Sequence, residues 1–323
     1  MISEVSFYCK DRNVAANLYR PDDNSKHAGI ILAHGAVKDG KDDFALTIAA
    51  QSLARAGYVV LIPQLEYLKS FQLRYGDVST LIASYQFLSR QPFVREEVGM
   101  LGMCLSAPLV LIAASDSTIS RDITVVSSWG GYYNVDDWLQ SVLAEQYLDD
   151  GQAISWSPRA TLKQGVPRLF LGFLPDESER MRIQEKLDTG SQNSSDTTLS
   201  PLGEDIFKML SAHTPEQVKE MWVEIAPEIH QSINLLSPHL IIEKIHAKIA
   251  IIHTVTDDVI PWVESVKLSQ AIPDDQEVFF KIFHRFYHVD IKQLLNVQLS
   301  ELYDVISEVA GFYFYVFSIL YQL

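Results

Sequence analysis

Cysteine is scarce in this chain: 323 residues contain two, Cys9 and Cys104. Two cysteines cannot build a disulfide framework, so the fold must rest on a hydrophobic core, and two free thiols suit a reducing compartment. Positive charge is short as well. Against 41 aspartates and glutamates stand 26 lysines and arginines, a formal net charge of −15. That balance argues against a nucleic-acid binder and against docking on anionic lipid, and it says nothing about an uncharged substrate. Long apolar runs are missing too. The longest, residues 311–323, falls short of the ~20 residues that span a bilayer, so no transmembrane segment is expected. This Phe- and Tyr-rich stretch reads as a terminal helix packed on the body, with an interfacial anchor or a homodimer patch as alternatives. The start, Met1-Ile2-Ser3-Glu4-Val5, has neither a basic n-region nor an apolar h-region. No secretory signal is therefore expected, and a cytoplasmic location is.

With 47% apolar and 21% charged residues, the chain can bury one large core, or a core plus a sizeable insertion. Its first half alternates strands and helices. Residues 5–8 and 14–18 read as an antiparallel start, and 29–33, 58–62, 98–101 and 123–128 as continuous apolar strands. A helix is expected over 44–56, with Phe44, Ile48 and Leu53 on one face and Gly57 just past its end. Another carries Val78, Leu81, Ile82, Tyr85 and Leu88 on one face. Continuous apolar strands separated by helices mean a mostly parallel sheet covered on both faces, an α/β fold. The rhythm changes over 134–236, which is acidic, largely helical and contains a polar loop over 188–200. Thr214-Pro215-Glu216-Gln217 reads as a capping box opening a helix with Val218, Met221, Trp222 and Ile225 on one face. This stretch is expected to be a helical lid or insertion between core segments 1–133 and 237–323. Asn193-Ser194-Ser195 matches a glycosylation acceptor and is read as plain loop. Residues 248–253 and 277–283 supply two further strands.

The most informative stretch is Gly102-Met103-Cys104-Leu105-Ser106-Ala107. A buried strand runs into Gly-x-Cys-x-small and then into a helix expected over 108–114, which is the shape of a nucleophile elbow. In that turn the middle residue is strained and held above the sheet, and small neighbours let strand and helix pass closely. With cysteine in the middle, any nucleophile is a thiolate. The competing reading is a buried structural thiol. Ser106 is the weaker nucleophile, since no glycine stands two residues before it.

Nucleophile, acid and histidine candidates in that chain order, each just after a strand, resemble the α/β-hydrolase superfamily. Within it, Gly102-Met103-Cys104-Leu105 looks like the cysteine elbow of the dienelactone hydrolase family, whose pattern usually has Gly-Gly where this chain has Ser106-Ala107. The Leu105-Ser106-Ala107 ending and the acidic lid are also similar to bacterial acyl-transferase/thioesterases. The resemblance covers about residues 5–135 and 237–305. It implies an α/β-hydrolase fold and a Cys-His-Asp triad. Asp257 holds the acid's place in a Gly-x-x-Asp-x-x-x-Pro pattern that here begins with Thr254, and Asp258 is the alternative. The family's histidine sits a few residues past the last strand, which favours His288 over His284. His34-Gly35-Ala36-Val37 matches the loop after the third strand. By that resemblance the N–H of Leu105 and that of Ala36 or Val37 form an oxyanion hole, and His34 braces the loop. Trp129, Tyr132, Tyr133 and Trp222 are the expected acyl-pocket residues. Ordinary core is the alternative for the first three, and packing on the insertion's own helices for Trp222.

The implied activity is hydrolysis of a small-molecule carboxylic ester or thioester through an acyl-enzyme. An acyltransferase using the same triad and a binding protein that kept the fold without the chemistry are the alternatives. No cofactor or metal is expected, since His213, His230, His239 and His246 show no metal-ligand spacing.

Overall fold

The structure, a computed structural model, describes residues 1–189, 199–212, 214–284 and 302–323. The Asn193-Ser194-Ser195 loop, His213 and the expected base His288 lie outside the described residues. The chain divides into two compact units, Met1–Asn134 with Leu236–Leu323, and Val135–Leu235.

In the first unit the apolar runs become strands of one eight-stranded sheet. In chain order the elements are β1 (Ile2–Cys9), β2 (Arg12–Tyr19), β3 (His27–Ala33), α1 (Phe44–Arg55), β4 (Val59–Pro63), α2 (Glu66–Lys69), α3 (Tyr75–Ser89), β5 (Val94–Met103), α4 (Ser106–Ala114) and β6 (Ile123–Trp129). The second unit holds α5 (Val135–Ala144), β7 (Gln146–Asp149), β8 (Gln152–Ser155), α6 (Ala160–Leu171), α7 (Glu177–Thr189), α8 (Pro201–Leu210), α9 (Pro215–Glu224) and α10 (Pro227–Asn234). The first unit resumes with β9 (Lys248–Thr254), α11 (Val263–Ala271), β10 (Glu277–Phe283) and α12 (Leu302–Leu320).

The strand order is β1-β2-β4-β3-β5-β6-β9-β10. β2 pairs antiparallel with β1 and β4, and every later pairing is parallel. Central strands buried on both faces explain the unbroken apolar runs: all five residues of β4 are buried. The mostly parallel, helix-covered sheet expected from the sequence is thus borne out.

One expected face is corrected. In α1, Phe44 is 75% and Ile48 48% exposed, while Leu46 and Ala50 are buried. Asp43 caps this helix by accepting the N–H groups of Ala45 and Leu46, which sets its start. From that start Leu46, Ala50 and Leu53 lie along i, i+4, i+7, facing Tyr19, Ile30 and Val60 of the sheet.

Within the second unit the capping box at Thr214 is present, with the Gln217 N–H donating to Thr214 Oγ1 and the Thr214 N–H to Gln217 Oε1. Val218, Trp222 and Ile225 are buried in this unit, the Trp222 ring edge-on to Phe170 and to His230. The unit also contains a β7–β8 hairpin that the helical reading did not include. Its turn residues Asp150 and Gly151 both have positive φ, 46° and 78°. An Asp-Gly pair is the usual sequence for such a two-residue turn, so the signal was there to read.

Candidate active site

The parallel strands β3, β5, β6, β9 and β10 all end at one edge of the sheet, where open α/β sheets place their ligands. Ala33 is in register with Gly102, Met103 with Trp129, Trp129 with Ile252 and Thr254 with Phe283. The loops carrying Gly35, Cys104, Gly130, Asp257 and His284 therefore leave the sheet side by side.

Cys104 follows β5 directly and precedes the first turn of α4. Its φ is +55°, the left-handed region that a non-glycine side chain occupies only where its surroundings enforce it. Three features enforce it. The Cys104 N–H donates to Trp129 O at 2.8 Å, and the Ala107 N–H donates to Cys104 O at 3.0 Å. A Cβ on Gly102 would lie 2.7 Å from Ala107 Cα and from Ser106 O, so only glycine lets the helix turn back this tightly. The Ser106 hydroxyl accepts the Met103 N–H and reaches Ala33 O (3.0 Å) and Met103 O (2.9 Å) as donor. Ser106 is fully buried and ties the ends of β3 and β5 together, which gives the departure from Gly-Gly a structural purpose and leaves its hydroxyl engaged.

The loop after β3 meets the elbow at Gly35, whose absent Cβ would sit 3.3 Å from Cys104 Cβ. His34 braces this loop. Its Nδ1–H donates to Gly35 O at 2.7 Å, and its Nε2 accepts the Leu65 N–H at 2.9 Å. Burial pushes the His34 imidazole below its usual value, consistent with a neutral ring fixed in one tautomer. The Val37 N–H donates to Gly35 O, which removes it as a free donor. Among the described residues the Ala36 and Leu105 N–H groups donate to no protein acceptor.

Asp257 is buried on the loop after β9. Its Oδ1 accepts the N–H groups of Val259 (2.7 Å) and Ile260 (2.9 Å), and its Oδ2 lies 3.3 Å from Nε2 of His253. Nε2 of His253 also lies 3.0 Å from Ile260 O, which can only accept, so the proton is on Nε2 and Nδ1 accepts from the Ser265 hydroxyl at 2.7 Å. Sequence reasoning took His253 as a strand residue only. A histidine four residues before the acid was the available signal, and its meaning depended on the loop folding back. Gly130, with φ +63°, lies against the acid: a Cβ there would lie 3.3 Å from Asp257 Oδ2. Its N–H donates to Ile252 O, and its neighbour Trp129 receives the Cys104 N–H. Cys104 and Asp257 thus sit on loops at the same edge of the sheet, on either side of the end of β6. Asp258, the alternative acid, is half-buried beside it.

The aromatic residues divide. Trp129 packs on Phe312 and Tyr315 of α12, and Tyr132 is fully buried with its hydroxyl donating to Leu236 O. The core reading fits both of these better than a pocket wall. Tyr133 is half-buried, edge-on to His239. His284, the alternative base, is exposed, and its N–H donates to buried Glu308 on α12. Among the described residues no group of three or more His, Cys, Asp or Glu could hold a metal ion, and no helix is long and apolar enough to cross a membrane.

No protein-family model matches the sequence, and no curated protein matches it closely enough to count as a relative. Solved structures do match. An α/β hydrolase, GrgF from Penicillium sp. sh18, superimposes with a TM-score of 0.54 at 12% identity, covering 96% of this chain and 99% of that one. DcsB, solved with a substrate analogue, gives 0.54 at 15% identity over 99% of both chains. The chain has the α/β-hydrolase fold. A third match, the acylaminoacyl peptidase of Pyrococcus horikoshii, has a TM-score of 0.51 at 14% identity and covers 90% of this chain but 38% of that one. In this chain the strand-to-helix turn after β5 carries Cys104.

Proposed function

We propose that this chain hydrolyses carboxylic esters or thioesters through Cys104, His288 and Asp257, in the manner of dienelactone hydrolase-like enzymes. The observation that carries the proposal is the left-handed backbone of Cys104 at the strand-to-helix turn. A structural thiol in a core gains nothing from such strain, whereas a nucleophile gains its position. Support for Asp257 comes from its burial, its two backbone N–H donors and the His253 ring beside its other oxygen, which hold a carboxylate in one orientation. The fold this chain shares with GrgF, an α/β hydrolase, and with an acylaminoacyl peptidase is one that hosts hydrolytic chemistry.

His288 takes the Cys104 proton and the thiolate attacks the acyl carbonyl carbon. The oxyanion is held by the N–H groups of Leu105 and Ala36, each donor contributing about 3 kcal/mol at comparable sites. His288 returns the proton to the leaving alcohol or thiol as the C–O or C–S bond breaks, while Asp257 steadies the imidazolium. Water, deprotonated by the same histidine, then cleaves the acyl-cysteine and restores the thiol. Two free cysteines fit the reducing cytoplasm, where a thiol nucleophile stays reduced.

The test is an ester and thioester panel run on wild type and Cys104→Ala. The variant is expected to fold and to lose turnover by at least about 10³-fold. Persisting activity would refute the thiol nucleophile. Iodoacetamide supplies a second readout. Cys104 and Cys9 are 7% and 4% exposed, so exposure alone does not separate them. Faster labelling of Cys104 near neutral pH would therefore report activation rather than access, and an inert Cys104 would point to a binding protein.

A further inference from the structure

α12 presents two opposite faces. Glu308, Gly311, Tyr315 and Ile319 are buried, and the helix packs on β10, β9 and β6 through them. The other face carries Ile306, Val309, Tyr313, Phe314, Phe317 and Tyr321, each between 49% and 76% exposed. Tyr313, Phe317 and Tyr321 form a ladder of stacked rings, 6.4 and 5.9 Å between centroids. From Ile306 to Tyr321 the stripe runs about 22 Å along the helix.

We infer that this face is where a second copy of the chain docks, two α12 helices crossing about a two-fold axis. The area decides first. At the ~150–250 Å² of an aromatic side chain, the four rings offer roughly 400–600 Å², and Ile306 and Val309 bring the six to roughly 500–800 Å² of apolar surface. That reaches from the upper part of the ~300–600 Å² of a typical monomer's largest patch to beyond it, and approaches the ~800 Å² per partner of a stable interface. Charge decides next. Residues 302–323 contain no lysine or arginine, and no charged side chain is exposed among the described part of this helix. An interfacial membrane helix binds anionic lipid through cations on its polar face, and here there are none in a chain of net charge −15. Two copies meeting through an uncharged stripe keep their acidic surfaces apart, and a self-complementary patch is what a two-fold contact requires. The packed rings lose little rotamer entropy on docking, since they already hold one another in place.

The test is sedimentation of the full chain over roughly 0.1–100 μM, a range in which interfaces of this quality dissociate. Wild type is expected to reach twice the 36.5 kDa chain mass, more readily as added salt screens the acidic surfaces. Phe317→Glu is expected to weaken the dimer at least about 30-fold, as a central aromatic anchor does. Tyr321→Glu, in the last turn, does the same should Phe317→Glu fail to fold, and Tyr8→Glu, an exposed tyrosine on β1, leaves the dimer intact. A wild type that stays monomeric overturns the inference, as does a dimer unaffected by both α12 variants. Co-sedimentation of a monomer with phosphatidylcholine vesicles, lost in Phe317→Glu, overturns it in favour of a lipid surface.

Discussion

Helices α4 and α12 are both apolar along most of their length and meet opposite fates. All nine residues of α4 are buried, walled in by β5, β6 and α3. α12 buries one stripe on the sheet across β10, β9 and β6 and leaves its aromatic ladder in water. The difference teaches that apolar content measures how much a helix can bury, while its neighbours decide how much it does. α4 holds the elbow because it cannot shift. α12 has a free side, and a free aromatic side is available for recognition.

The sharpest way to break this contrast is to force α4 off its strand. Gly102→Val would put a side-chain atom 2.7 Å from backbone atoms of Ser106 and Ala107, which cannot rotate away. We expect a loss of at least about 4 kcal/mol in urea unfolding, or no folded protein. A near wild-type midpoint would mean that the turn is not clamped as described.

The contrast can also be sharpened inside α12, at protein concentrations low enough to keep the chain monomeric. Tyr315 is buried, its hydroxyl bonded to Ser127, and burial raises its pKa. Tyr315→Ala is expected to cost about 3–5 kcal/mol, whereas Phe317→Ala, two residues on, stays within about 0.5 kcal/mol of wild type. Equal costs in denaturant titrations would erase the two-face description.

A smaller effect is expected behind α4, where α3 packs. Asp77 on α3 is buried, and burial pushes its carboxyl from 3.8 up to about 6 even though it accepts the N–H groups of Leu68 and Tyr67. The folded chain therefore binds more protons than the unfolded one between those two pH values. Stability falls as pH rises through that window, by up to about 3 kcal/mol, and is not regained above it. Urea midpoints across the window should show a shallower slope in Asp77→Asn; an unchanged slope would remove Asp77 as its source.

Much of the central architecture was legible because it depends on local pattern. Continuous apolar runs mark buried parallel strands, and the strand over 277–283 is β10 residue for residue. The elbow was legible for the same reason, since strand, glycine and small residues are adjacent in the chain. The rotation of α1 was missed because Leu46 and Ala50, rather than Phe44 and Ile48, pack on the sheet, a choice that tertiary contacts make. His253 was passed over because a strand-end histidine acquires meaning only when the next loop returns Asp257 and Ile260 to its ring.

By itself the sequence determined where the strands of the central sheet form, the parallel α/β architecture and the one position where a cysteine stands at a strand-to-helix turn. Only the tertiary structure decided which groups surround it: the Ser106 tie to Ala33, the Leu65 N–H that fixes His34, the Gly130 backbone against Asp257. It also decided that Trp129 faces α12 and that Ser127 meets Tyr315, 188 residues away. Periodicity and turn chemistry act over a few residues and can be read along the chain. Hydrogen bonds and burial are set by distances between segments that only the packed sheet brings together.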